Sequence, residues 1–412
     1  MIRRLFIIVI FAVNTVASLS QVRTLDYFIQ QGLANSPLMK DLSNQLHSNT
    51  LDSLIVGATR LPQVNYNGVL SYAPVVNGYG YSEAITNGGN FVSVVNVSQP
   101  LFNKKTVAAQ YSKIGLQGTS LLNTSAITGR DLKKAITAQY LAACSVSGDI
   151  TFNKVLIRQA KDEEQMLVRL VQSGLYKQTD YLSFLLEMES LEFQQNDLQT
   201  QYQRAVSDLE LMCGIGDTSL VELEMPDLVI KASGNKGGSP FFQRFAIDSL
   251  RIQNDRLMTD RGYKPRISWY TDAGLVNNDP ALIYKNLGLS LGLSFSVPVF
   301  DGNQRKLNIE KLKTSEVTRQ NYRDFFGLQY LQQLRQLNQS LKQTGDLVPR
   351  LQKQLDLAES IIRQDKLLLN NGGISVTDYV IALKNYVAIQ ANLNQYRIRV
   401  LQIINEINYW KE

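Results

Sequence analysis

Two short acidic motifs carry the side chains best placed for chemistry in this 412-residue chain: Thr179-Asp180 in GLYKQTDY (174–181) and Thr377-Asp378 in GGISVTDY (372–379). Threonine or aspartate at a helix start accepts hydrogen bonds from free backbone N–H groups and complements the helix dipole, so capping is the first reading of both pairs. Little else resembles a reactive centre. There is one histidine, His47, read as a polar-face residue of the first helix, and there are two cysteines, Cys144 and Cys213. That set spells out no thiolate–imidazole metal site. No glycine-rich phosphate loop follows a strand, and neither GxSxG nor HExxH occurs. The expectation is a protein that is not an enzyme, with no catalytic residue, no metal and no cofactor.

What positions the acidic motifs is a duplication. Gly174 and Gly372, Thr179 and Thr377, Asp180 and Asp378, and Tyr181 and Tyr379 are all 198 residues apart. So are Pro100 in SQPLF (98–102) and Pro298 in SVPVF (296–300). One offset across two unrelated motifs means the segment between them kept its length in both halves. A unit of about 200 residues is far longer than the period of a solenoid.

Each half runs through the same elements. Residues 25–59 have helical character with a break at Asn35-Ser36-Pro37, where Ser36 suits an N-cap and Pro37 the first turn. Gly-Ser-Pro at 238–240 repeats that start. Alternating patterning follows, clearest from Leu287 to Val297, where Leu, Phe and Val at odd positions face Gly and Ser at even ones. Partner strands are expected near 64–72, 91–98 and 267–275, giving one hairpin per half. From Leu101 to Ser173 there is no proline, a helix on the order of 110 Å if continuous. The second copy contains Pro349, where a kink or local break is possible. The returning helices carry heptad rows: Tyr181, Leu185, Met188, Glu192, Gln195, Gln199, Tyr202, Val206 and Leu209 in one, and Tyr379 to Ile407 in the other.

The resulting map has a first repeat at 21–213 (hairpin 62–100, long helix 101–173, tip 174–179, return helix 180–213). A linker at 214–238 leads to a second repeat at 239–412 (hairpin 265–298, long helix 302–371, tip 372–377, return helix 378–410). Residues 1–20 read as a secretory signal peptide: Arg3 and Arg4, an apolar run from Leu5 to Val13, then Ala17, Ser18 and Ser20. No cysteine lies near that point to carry a lipid. Cys144 precedes Gly174 by 30 residues and Cys213 follows Thr179 by 34. On an antiparallel pair these are similar heights, so a Cys144–Cys213 disulfide and two separate buried thiols both remain open.

The formal charge of +6 is spread without blocks, which argues for solvated helix faces and against nucleic acid. The strand from Leu287 is long enough to cross a membrane at a tilt, and aromatics near the strand ends (Tyr72, Tyr79, Tyr81, Trp269, Tyr270, Tyr284, Phe300) suit interfacial girdles. Four strands cannot close a barrel in lipid, so a membrane assignment requires an oligomer. Two copies give eight strands with a filled interior; three give twelve with a lumen.

The plan of helix, hairpin, long helix, turn and helix, duplicated, resembles the TolC-like outer-membrane efflux proteins. The resemblance rests on LDYFIQQGLANSP at 25–37, the strand entries PQV (62–64) and PRI (265–267), the SQPLF and SVPVF exits and the two tips. It implies an α+β membrane protein: a homotrimer whose twelve-stranded outer-membrane β-barrel continues into a long α-helical coiled-coil periplasmic tunnel. It implies an exit duct for a tripartite efflux pump or a type I secretion system, with a periplasmic adaptor, an inner-membrane transporter and outer-membrane lipid as partners. By the same resemblance, Ser173, Gly174, Leu175, Gly372 and Gly373 are adaptor-contact tips. Thr179, Asp180, Thr377 and Asp378 line the periplasmic aperture, with Asp378 in a cation-attracting ring. The chain departs from the family pattern at Ile374 and Ile381, where better-known members carry arginine and a second aspartate. The alternative is a soluble periplasmic coiled-coil scaffold or adaptor.

Overall fold

A computed structural model describes residues 23–80, 88–101, 104–216, 221–232, 238–278 and 285–411. The signal-peptide reading of 1–20, Phe102, Tyr81, Tyr284 and parts of both hairpin connections lie outside these residues. In chain order the elements are α1 (Leu25–Asn35), α2 (Pro37–Ala58), β1 (Gln63–Ala73), β2 (Gly88–Leu101), α3 (Lys104–Gln172) and α4 (Gln178–Met212). The second half supplies α5 (Pro240–Gly262), β3 (Arg266–Asn277), β4 (Leu287–Ser296), α6 (Gln304–Asn370) and α7 (Val376–Lys411).

The helix starts follow local chemistry. Ser36 Oγ accepts the Met39 N–H at 3.4 Å, closing α2 with Pro37 in its first turn. The copy at α5 differs: Ser239 Oγ is buried and makes no hydrogen bond among the described residues, so this serine does not cap. Pro349 lies inside an unbroken α6. Its missing N–H forfeits one backbone bond, and the helix continues through Gly345-Asp346 as well.

The chain divides into two compact units that cut across the repeats. One is Asp41–Ser125 with Pro240–Phe326; the other is Met1–Lys40, Ala126–Ser239 and Gly327–Glu412. The first holds one antiparallel sheet in the order β1-β2-β3-β4, so the two hairpins pair through β2 and β3. Beside it, Phe326 packs against Phe242 and Phe245, and Asn254 Nδ2 donates to the Ala109 carbonyl at 3.1 Å.

The second unit is mostly helical, around separate apolar clusters. One gathers Leu25, Phe28, Ile136, Tyr140, Leu209 and both cysteines. Another joins Leu156, Leu167, Phe184, Met188, Leu191, Leu369, Val376, Tyr379 and Leu383. The heptad row of α7 is buried at Tyr379, Leu383, Leu393 and Ile407, but Arg397 is exposed and Ile398 and Ile403 take its side of the seam. On α4 the expected row is buried at Met188, Gln195, Val206 and Leu209, while Phe184, Leu191 and Leu198 are buried in place of its Leu185, Glu192 and Gln199.

Cys144 and Cys213 are free thiols within one cluster, not a disulfide. Burial disfavours the thiolate and pushes their pKa values up to about 12 and about 11. We expect the native protein to resist iodoacetamide at pH 8 and to react once unfolded. The ordinary thiol pKa lies below both folded values, so their contribution to stability is intact at neutral pH and is lost as the pH rises above about 9. Rapid native alkylation of either residue would contradict this burial.

Candidate functional site

In the sheet-bearing unit the register decides what each face can do. Val64 pairs with Val97, Tyr66 with Val95 and Leu70 with Phe91; Val97 pairs with Thr271 and Val95 with Ala273; Ile267, Trp269 and Thr271 pair with Phe295, Leu293 and Leu291. Side chains alternate across a strand, so these residues share one face. That face is apolar, and much of it is open: Leu289, Leu291 and Leu293 are 79%, 80% and 74% exposed. An exposed apolar sheet of this extent marks contact with another surface or with lipid.

The opposite face carries Asn65, Asn67, Asn90, Asn96, Asp272, Gly288, Ser290, Gly292 and Ser294, with Val69, Val92, Val94 and Val276 among them. Asn96 donates to the Asp272 carboxylate, and Ser290 Oγ donates to its other oxygen at 3.0 Å. Tyr270 also lies on this polar face, over Gly292, where any Cβ would strike its ring. It therefore does not belong with Trp269 in an aromatic girdle. Trp269 Nε1 donates to Gln99 Oε1 at 3.0 Å at the end where β2 and β3 meet the helices. β1 and β4 each pair on one side only, leaving two open edges.

In the helical unit the two tips have the same construction. Gly174 and Gly372 take φ of +80° and +70°, and the next residues close the helix ends: Leu175 N–H to Leu170 O at 3.0 Å, and Gly373 N–H to Leu368 O at 2.8 Å. This is the glycine-terminated helix end that only a residue tolerant of positive φ forms cheaply. Ser173 Oγ donates back to the Leu170 carbonyl at 2.8 Å. Leu175 is half exposed and lies across Gly372, where a Cβ would come within 2.9 Å of Leu175 Cδ1.

The acidic pairs fall two and three positions after the N-caps. Lys177 and Ser375 precede the helices, Thr179 and Thr377 are second in them, and Asp180 and Asp378 third. Asp180 Oδ2 accepts the Lys177 N–H at 2.9 Å. Asp378 N–H donates to Ser375 Oγ at 3.1 Å, while that hydroxyl donates to Asp378 Oδ2 at 2.7 Å. Asp180 thus acts as the reciprocal acid of a capping box, whereas Asp378 takes the Ser375 hydroxyl that its own N–H meets.

Sequence reasoning missed the contacts that join the two tips. Tyr176 OH lies 2.9 Å from the Leu369 carbonyl and 2.8 Å from that of Ile374, its counterpart 198 residues on. The repeated tyrosines find neighbouring acids on α3: Tyr181 OH donates to Glu164 Oε1 at 3.2 Å, and buried Tyr379 OH donates to Glu163. Glu163 is itself buried and pairs with Lys366 Nζ at 3.2 Å. Burial, and then the adjacent Glu163 charge, hold the Tyr379 hydroxyl neutral far above its usual range. Lys384 pairs with Glu187 at 2.9 Å farther along α7. The duplicated Tyr was the one available signal; its acids, on another helix, gave none.

No residue group among those described gathers three metal-ligating side chains, and no described helix is long and apolar enough to cross a membrane. Neither known protein-family signatures nor curated proteins match this sequence. Solved structures do. The outer-membrane channel OprN superposes with a TM-score of 0.74 at 14% identity, over 94% of this chain and 90% of that one. The chain has the TolC-like channel fold. The Campylobacter jejuni CmeC outer-membrane channel gives 0.72 at 14% identity, over 94% and 86%. The Vibrio cholerae outer-membrane protein VceC gives 0.73 at 13% identity, over 94% and 96%. The TolC-like fold, four antiparallel strands with long duplicated helices, is the one the family resemblance implied.

Proposed function

We propose that this chain is the outer-membrane exit duct of a tripartite efflux pump or of a type I secretion system. The observation that carries the reading is the register that puts the leucine strip of β4 with Val64, Tyr66, Leu70, Val95, Val97, Ile267 and Trp269 on one open face and most of the Asn, Asp, Ser and Gly residues on the other. In lipid an open-edged sheet of four strands is untenable, so the β1 and β4 edges are closed by further copies, and three copies give twelve strands around a wet lumen. The helical portion then lies in the periplasm. Ser173, Gly174, Leu175, Gly372 and Gly373 meet a periplasmic adaptor, which links the duct to an inner-membrane transporter. Thr179, Asp180, Thr377 and Asp378 stand at the periplasmic aperture.

Membrane fractionation followed by gels of unheated and heated protein tests the reading. The expected result is an outer-membrane protein running as a heat-modifiable trimer; a monomer in the soluble fraction would instead support a periplasmic scaffold. The aperture makes a finer prediction. Three Asp378 carboxylates near one axis repel one another and attract cations, whereas capping alone gathers no charge. Asp378→Ala should raise single-channel conductance or weaken block by multivalent cations, at a stability cost below about 1 kcal/mol. Unchanged conductance and block would leave Asp378 with capping only.

A further inference from the structure

Where the sheet ends and the helices begin, β2, β3, α3 and α5 enclose a cavity of about 830 Å³. Its apolar side is Leu101, Ile267 and Met258, and its polar side includes Arg261, Lys264 and Arg266. No acidic residue among those described lines it. Arg266 Nη2 donates to the Gly262 carbonyl at 3.2 Å, which spends a hydrogen bond but leaves its charge uncompensated. Arg261 and Lys264 make no ion pair among the described residues. Leu101 and Ile267 are cross-strand partners on the apolar face, so the floor of the cavity continues directly into the surface assigned above to lipid.

We propose that this cavity holds the phosphodiester headgroup of an anionic phospholipid in the periplasmic leaflet, with an acyl chain running over Leu101 and Ile267. The inference rests on the membrane reading of the sheet. Three cations with no acid beside them fit a phosphate, and planar guanidinium groups fit its oxygens well. The adjoining apolar strip favours a lipid over a free anion. β2 and β3 are the inner strands of the four, so closing the sheet through β1 and β4 leaves this cavity within one protomer.

Native mass spectrometry of the detergent-solubilised protein, titrated with phosphatidylglycerol, phosphatidylcholine or inorganic phosphate, tests it. Wild type should retain phosphatidylglycerol in preference to phosphatidylcholine, and Arg261→Ala/Lys264→Ala should weaken that retention by about tenfold or more. Arg266 is spared in this variant because its side chain also ties the end of α5. Equal retention by wild type and variant overturns the site. Displacement of the lipid by inorganic phosphate overturns the lipid assignment. Absence of phosphatidylglycerol binding by a protein that still fractionates with the membrane overturns this inference alone, whereas a soluble protein overturns the membrane reading beneath it.

Discussion

Leu291→Arg is expected to abolish assembly in the membrane while leaving the helical unit folded. In water the substitution would matter little, because Leu291 is 80% exposed in the single chain and surface changes usually stay within about 0.5 kcal/mol. Facing lipid near the middle of a strand, an arginine costs roughly 2–4 kcal/mol in each copy. Ser294→Arg, three residues on and on the opposite face, is the control and should be tolerated by a wet lumen. Loss of the membrane-inserted trimer with Leu291→Arg and its retention with Ser294→Arg would match the two-faced sheet. Equal behaviour of the two variants would contradict it.

The second large effect is expected at Tyr379. Its ring is 1% exposed within the tip cluster, and its hydroxyl meets buried Glu163. Tyr379→Ala removes the packing and should destabilise the helical unit by about 3–5 kcal/mol. Tyr379→Phe isolates the hydroxyl: Glu163 keeps Lys366 but loses its other partner, at a cost of about 1–3 kcal/mol. The repeat-equivalent Tyr181→Phe should cost less, because Tyr181 and Glu164 are only partly buried. Chemical denaturation measures all three, and hydrogen exchange over residues 369–383 locates the loosening. Equal effects at Tyr181 and Tyr379 would contradict the asymmetry of the two tips.

That asymmetry shows where sequence reasoning reaches its limit. The offset of 198 residues located both tips because Gly174 and Gly372 meet a backbone demand, positive φ, that few residues satisfy. The strand from Leu287 was legible because period-2 alternation with small residues on one face has no helical equivalent. The seam of α4 was legible only in part: Met188, Gln195, Val206 and Leu209 of the expected row are buried, but Phe184, Leu191 and Leu198 replace its Leu185, Glu192 and Gln199. Which row is buried depends on the partner helix, and the sequence of α4 alone does not contain that information. The capping residues shifted for a similar reason. Asp180 and Asp378 were visible as helix-start acids, but Lys177 has no side-chain signal for an N-cap, and only the backbone places it there. Glu163 and Lys366, 203 residues apart in sequence, come together only through the packing of α3, α6 and α7.

A planar lipid bilayer records the central claim most directly. Purified, membrane-extracted protein added to one side should produce discrete, repeated conductance steps from a trimeric species. Its Leu291→Arg variant, purified into the same detergent from whichever fraction holds it, should produce none. Protein that stays monomeric and leaves the bilayer silent under conditions where its helices are folded would contradict the duct.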